Sequence, residues 1–306
     1  MRVVIRKPGI FTSLQNFGRT GFRSLGVPPG GAMDRTAIRL INILLGNPDH
    51  AAVLEMHFPA PEIEFEDDIE FAIGGADFAP ELNGIPIDNW RLVRASANDV
   101  LRFNGPRLGA RAYLAAAGGF EFDPPLGEPT VRIEGGTHLT IAYSFSSNHR
   151  IAGLGISRNL IPRYSRSPTV RVLEGHESQF LTAKSEETFF RETFSISSDS
   201  NRMGYRLSGE PLHLLQSDEL ISSGVTYGTI QLLPDGQMII LMADHQTTGG
   251  YPRIAQVISA DLPLLGQLGP GDTVSFEQLE IETAEDISLQ FETDLALLRT
   301  GIAMRS

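Results

Sequence analysis

GTIQLLPDGQMIILMADH, residues 228–245, consists of two apolar runs separated by a single turn. Pro234 presets φ for the turn and Gly236 supplies a left-handed position, so residues 228–233 and 237–243 are predicted to pair as antiparallel strands. The same texture extends outward along the chain. Thirty-one glycines and 19 prolines punctuate short runs rich in valine, isoleucine and phenylalanine, which is the pattern of a β-dominated protein. In VLRFNGPRLGARAYLAAAGG, residues 104–109 are predicted to turn the strand 100–103 back onto the strand 110–116. A barrel or a sandwich is the expected architecture.

Helices are few and short in this reading. MDRTAIRLINILLGNP places Ile38, Ile41, Leu44 and Leu45 on one stripe, with Asp34 as N-cap, Gly46 at the end and Pro48 beyond. Shorter helices are predicted at 184–193 and at 261–268, the latter capped by Asp261 with Pro263 in its first turn. The segment 148–168 has scattered basic residues and no sustained period. The expected division is therefore an N-terminal β-rich domain over 1–155, with one helix near 34–45, and a C-terminal β-rich domain over 165–306.

Composition excludes several functions. The net charge is -12 with only 25 Lys and Arg among 306 residues, so no cationic face for a nucleic-acid backbone is expected. No apolar run reaches the ~20 residues of a membrane span, and the first residues read as a strand and turn. A cytoplasmic location, with neither membrane nor nucleic acid as partner, is the expectation. The absence of cysteine removes disulfides, thiolate nucleophiles and thiolate metal sites. The seven histidines form no HxH or HExxH pair, so a metal site could arise only by long-range assembly, and none is predicted.

Three segments carry the chemistry. DHQTTGGYPRI, residues 244–254, packs more hydrogen-bonding side chains into eleven residues than a turn requires. His245 is a candidate general base or hydrogen-bond donor. Gln246, Thr247, Thr248 and Tyr251 offer polar side chains, and Gly249 and Gly250 let backbone approach a ligand closely. A structural role for His245 stays open beside the catalytic one. In SSDSNRMGYRLSGEPL, Arg202 and Arg206 stand four apart and would share one face if the segment is extended. Two guanidiniums there would suit a carboxylate or phosphoryl group, and the alternative is that each pairs with a structural acid. SLQNFGRTGFRSLGVPPGGAMD, residues 13–34, brings Gln15, Asn16, Arg19 and Arg23 into a glycine-rich connection. Glu55, on an apolar strand, is the one carboxylate expected to be buried with a shifted pKa, whereas the acids of 62–70 read as a solvated face. No GxxxxGK[ST] phosphate loop occurs anywhere in the chain.

These segments, with NILLGNPDHAAVLEM, YLAAAGG and YGTIQLLPDGQ between them, occur in the order of one family and resemble it over nearly the whole chain. It is the biotin-dependent carboxyltransferase-like family, which includes the C subunit of 5-oxoprolinase, the second subunit of allophanate hydrolase and the Kip-type antagonists of a sporulation-kinase inhibitor. The resemblance implies two mainly β domains, at least one a cyclophilin-like barrel, assigned to the C-terminal domain over 165–306. It implies partners, subunits A and B, and ATP as a cofactor of the complex. The implied reaction is opening of a small acidic lactam, 5-oxo-L-proline, to L-glutamate, with this chain inactive alone. On that reading His245, Arg202 and Arg206 would act on the substrate. Residues 246–251 with Gln15, Arg19 and Glu55 would bind it. The resemblance also admits a regulatory module that binds a subunit-B-like protein, or a biotin-dependent carboxyltransferase component acting on urea or a related amide. Two positions depart from the family: Asn16 stands where an Asp is usual, and LGEPTV at 126–131 replaces a stretch usually closer to LGSRST.

Overall fold

The computed structural model describes residues 1–123, 132–142, 153–215 and 220–304. The chain divides into two compact units. One comprises Met1–Gly18, Asp34–Arg163 and Glu292–Ser306, and the other Arg19–Met33 and Tyr164–Phe291. The main division of the chain falls at Arg163. The two excursions were not expected: each unit borrows a piece from the opposite end of the chain.

The first unit is a sandwich. Its six-stranded sheet runs His138–Thr140, Arg2–Lys7, Glu62–Phe65, Val100–Phe103, Pro80–Leu82, Ile85–Pro86. Its five-stranded sheet runs Thr12–Gln15, Val53–Met56, Leu108–Ala116, Ile69–Asp77, Val93–Ala95. Alternation along the strands sends Val3, Ile5, Ile63 and Phe65 from one sheet, and Leu54, Met56, Phe71 and Leu114 from the other, into a shared core. Phe65 and Phe71 stack across it with ring centroids 4.9 Å apart. The strands at 100–103 and 108–116 form where expected, but they do not pair with each other. The connection between them crosses from one sheet to the other, held by Asn104 and Gly105 N–H groups donating to the Ala79 and Phe78 carbonyls. Of the acids in 62–70, Glu62, Glu64 and Glu66 remain partly solvated, matched by Arg102 at 2.9 Å, Arg6 at 2.5 Å and Arg2 at 3.1 Å. Glu70 departs from the expected solvated face: it is buried, with Arg94 at 3.0 Å compensating its charge.

The helix Arg35–Leu44 covers the other face of the five-stranded sheet. Asp34 caps it as expected, its carboxylate accepting from the Ala37 N–H at 2.8 Å. Close approach depends on Gly74, where an added Cβ would lie 2.7 Å from the Ile41 side chain and 2.9 Å from Trp90.

The second unit is built on a closed barrel in the order Thr169–Glu174, Arg253–Val257, Thr229–Leu232, Met238–Leu241, Gly204–Ser208, Phe194–Ile196, Thr273–Gln278. This is the barrel expected for the C-terminal half. The predicted hairpin forms in register, Ile230 opposite Ile240 and Leu232 opposite Met238. Those side chains fill the barrel with Val170, Val172, Tyr205, Val274 and Phe276. The helix Ala183–Arg191 begins at Thr182, whose hydroxyl accepts from the Ser185 N–H. Leu262–Gly266 is helical too, but Asp261 does not cap it with its side chain. That carboxylate is taken by Arg171, at 2.6 and 2.9 Å, because a bidentate charged pair outcompetes one backbone N–H.

The 23-residue helix Ile281–Ala303 was not anticipated. From Glu292 onward it belongs with the sandwich, where Arg39 holds Glu292 through two bonds of 2.6 and 2.7 Å and Arg299 pairs with Asp49.

Candidate functional site

The candidate residues fall into two groups, one in each unit. In the sandwich, Ser13 lies opposite Glu55 and Glu55 opposite Tyr113, so three neighbouring strands present them on one face. Gln15, two residues along, shares that face and donates to the Ser13 hydroxyl at 3.1 Å. Glu55 is fully buried as expected. The Tyr113 phenol donates to its carboxylate at 2.9 Å and accepts from the Asp34 N–H at 3.0 Å. Burial, with the Glu55 charge beside it, holds the Tyr113 phenol well above the usual tyrosine range, so it remains a donor at any physiological pH. Tyr113 escaped the sequence reading because its partner lies 58 residues away. Asn16 accepts from the Gly18 N–H at 2.8 Å, a turn an Asp at this position would make equally well. The departure at 126–131 lies outside the described residues.

In the barrel unit, Arg202 and Arg206 do not form a joint clamp. The strand begins only at Gly204, after an Asn201 side-chain turn, so the alternation that would align them never reaches Arg202. Arg206 stands exposed on the outer wall. Arg202 is nearly buried, with 11% of its side chain accessible. It forms a bidentate pair with Asp244 at 2.8 and 3.0 Å and donates to the Gly31 carbonyl at 2.5 Å. The structural pairing left open at the sequence level is the one found for Arg202. Its partner is the first residue of the DHQTTGGYPRI motif.

Through its bond to Gly31, the Arg202 guanidinium fastens a strap, residues 19–33, to the barrel. Further bonds do the same work. The Tyr227 hydroxyl donates to the Met33 carbonyl at 2.7 Å, and the Arg23 guanidinium donates to the Val225 carbonyl. Arg19 lies in the strap, where its N–H donates to the Pro29 carbonyl at 2.7 Å.

His245 is 1% exposed, and its Nδ1 donates to the Gln246 carbonyl at 2.5 Å. It stands in a turn rather than at a strand end, because the strand stops at Leu241. From Gln246 the chain rises to the surface: Thr248, Gly250 and Tyr251 are exposed, and Thr248–Gly249 pairs with Ser223–Gly224 in a ladder two residues long. Arg253 then returns into the barrel and grips Glu177 through two side-chain bonds, 2.9 and 2.6 Å. The structure thus brings His245 through Tyr251 together with Arg206 and Arg19 in one unit, and Gln15 with Glu55 in the other. No cluster of three or more histidines and acids that could hold a metal ion occurs among the described residues, nor any helix long and apolar enough to cross a membrane.

The Glu177–Arg253 pair sets a pH dependence. Hydrogen bonding from Arg253 holds the Glu177 carboxyl below the usual range despite burial. A carboxyl whose folded pKa is depressed contributes stability that is fully present above its unfolded value, ~4.3, and is lost as pH falls through the folded value. Glu177→Gln is therefore expected to lower stability near neutrality and flatten its decline on acidification. Urea midpoints between about pH 7 and 3 would show this, and parallel curves for both proteins would count against it.

The family model described as "Carboxyltransferase domain, subdomain A and B" matches residues 25–278, from the strap to the last barrel strand. The chain belongs to this carboxyltransferase domain family. Among its relatives, the C subunit of 5-oxoprolinase from Escherichia coli is 36% identical, with 92% of each chain covered. The Haemophilus influenzae protein of the same name is 33% identical, with 94% of each covered. Among solved structures, the Kluyveromyces lactis urea amidolyase superposes with a TM-score of 0.89 at 26% identity, over 97% of this chain and 20% of that one. This member of the carboxyltransferase domain family thus spans nearly the full length of the bacterial subunits but only a fifth of the fungal enzyme.

Proposed function

We propose that the chain is the C subunit of an ATP-dependent 5-oxoprolinase, opening 5-oxo-L-proline to L-glutamate together with subunits A and B. The observation that carries this reading is 36% identity to the Escherichia coli C subunit over 92% of both chains. That relative is named as one subunit of an enzyme, which supports an assembly of several chains.

The chemistry explains why ATP is needed. A lactam carbonyl is a weak electrophile, because nitrogen donates into it. Transfer of the γ-phosphoryl group to the lactam oxygen releases ADP and makes the ring carbon attackable by water. The C–N bond then breaks, the nitrogen takes a proton, and the resulting acyl phosphate is hydrolysed by a second water to glutamate and phosphate. With no phosphate loop in this chain, ATP would be bound elsewhere in the complex. The chain alone is expected to be inactive, and its localisation would be cytoplasmic.

Within this scheme the 245–251 segment faces the substrate, with Gly249 and Gly250 letting backbone N–H groups approach developing negative charge. His245 holds the segment's entry through its bond to Gln246. Arg206, exposed on the barrel wall, is the guanidinium available for an acid, while Arg202 is committed to Asp244. Glutamate release from 5-oxo-L-proline and ATP should require this chain and both cognate subunits, each omission abolishing turnover. Full turnover without this chain would defeat the proposal. The likeness to the fungal enzyme favours one second reading, a biotin-dependent carboxyltransferase component. Turnover that depends on a biotinylated carrier and is blocked by avidin would select it.

A further inference from the structure

Gln231 is fully buried, yet it points away from the barrel core. Its neighbours Ile230 and Leu232 fill the interior, so alternation turns Gln231 to the outer wall. There it is roofed by the Gly249–Tyr251 segment. Its Nε2 donates to the Tyr251 carbonyl at 3.2 Å, which fixes the orientation of the amide, since a flipped amide would set oxygen against oxygen. A Cβ added at Gly249 would lie 2.6 Å from that Nε2 and 3.3 Å from the Oε1. Only a glycine lets the roof sit this low. Yet the Oε1 meets no hydrogen-bond donor among the described residues. A buried acceptor left unsatisfied is uncommon and costly, and it asks for a donor that is not part of the chain.

The register shows what surrounds this acceptor. Gln231 lies opposite Ile239, and Ile239 opposite Arg206. Residues directly opposed across antiparallel strands share a face at about 5 Å spacing. The outer wall therefore carries, in a row, an orphan acceptor, a half-buried apolar side chain and an exposed guanidinium. We propose that Gln231, Ile239 and Arg206, beneath the Gly249–Tyr251 segment, form a subsite for a cyclic amide bearing a carboxylate next to its N–H. The amide N–H donates to Gln231 Oε1, the ring lies over Ile239, and Arg206 takes the carboxylate. The subsite rests on the function proposed above and deepens it by naming the groups that read the lactam. Access requires the roof to lift; besides the Gln231–Tyr251 bond and the backbone bonds at Thr247 and Pro252 that flank it, the roof is held by a ladder of two residue pairs, Ser223 with Gly249 and Gly224 with Thr248. So short a ladder opens at low cost.

The test compares ratios. Because the acceptor is already dehydrated in the free protein, an N–H donor gains its bond without stripping water from Gln231, and about tenfold in kcat/KM is expected from it. In the reconstituted complex, 5-oxo-L-proline should be preferred over its N-methyl analogue. In Gln231→Met, which preserves length, that ratio should fall about tenfold while melting temperature stays near wild type. In Arg206→Met the KM for 5-oxo-L-proline should rise about tenfold with the N–H preference intact. A merely structural glutamine would change stability without changing the ratio, so an unaltered ratio in Gln231→Met overturns the subsite. If the wild-type complex turns over no 5-oxo-L-proline, the function proposed above fails separately. The subsite is then decided on the full chain by the NMR signal of the Gln231 side-chain amide. A shift with 5-oxo-L-proline and none with the N-methyl analogue supports it, and no shift with either overturns it.

Discussion

Arg202→Met is expected to destabilise the barrel unit by about 3–5 kcal/mol, the usual cost of removing one partner from a buried ion pair. The substitution strands the Asp244 carboxylate, which is 9% accessible, and releases the Gly31 carbonyl of the strap. Coulomb attraction between the two groups is only part of the loss. The larger part is the dehydrated carboxylate deprived of its bidentate guanidinium. Two comparisons separate these contributions. Asp244→Leu on the Arg202→Met background should recover part of the stability, because no buried charge then remains; if the double variant is the less stable, the pair is worth more than its desolvation. The transition is best followed by near-ultraviolet tyrosine dichroism, since Tyr205 and Tyr227 belong to this unit and the single tryptophan, Trp90, belongs to the other. An unchanged urea midpoint would remove the strap's anchoring role. With the midpoint lowered, activity lost in this variant reports assembly of the site, not contact with substrate.

The second large effect is expected at Gly175. A Cβ placed there would overlap the Arg253 carbonyl oxygen and lie 2.5 Å from the Ala255 nitrogen. These are backbone atoms of a paired barrel strand, so no side-chain rotation can relieve the contact. Gly175 N–H also donates to the Ile254 carbonyl at 3.1 Å, which holds the two chain segments close. Gly175→Ala should cost about 3 kcal/mol, the upper end for overpacking a rigid site. Gly271→Ala serves as the comparison. Its φ is +87° but nothing lies within 4 Å of an added Cβ, so strain alone acts there and a cost of about 1 kcal/mol is expected. Equal losses at the two positions, measured by urea unfolding, would show that the steric argument at Gly175 is wrong.

The elements legible in the sequence were those whose signals are local. Pro234-Asp235-Gly236 sets a turn by itself, and the strands on either side of it pair in the expected register. Asp34 sits next to the helix it caps, with an apolar stripe behind it. What sequence could not supply was partner choice over long separations. Asn104 to Gly109 has the composition of a hairpin turn, but the same residues serve a crossing between sheets, and only the neighbours at Phe78 and Ala79 decide between them. Arg202 looked like a ligand-binding group because Asp244 is 42 residues distant. The helix Ile281–Ala303 was hidden by Leu289 and Leu297, each 66% exposed, which blur the polar face that would have marked its period. Gln231 gives no local signal at all, since a glutamine in a strand carries no sign that its acceptor will be left unsatisfied.

The exchange of end segments between the units has a consequence for biosynthesis. The strap at Arg19–Met33 leaves the ribosome before Arg202 and Tyr227 and cannot dock until they follow. The sandwich in turn lacks Glu292, a partner of Arg39, until the whole barrel has been synthesised. Neither unit can therefore complete itself as its own residues emerge, contrary to the usual vectorial order in which the N-terminal domain folds first. Nascent chains should stay protease-sensitive until Glu292 has emerged, and such contacts between distant residues slow folding further. A chain split at Arg163 yields two fragments that each lack part of their own unit.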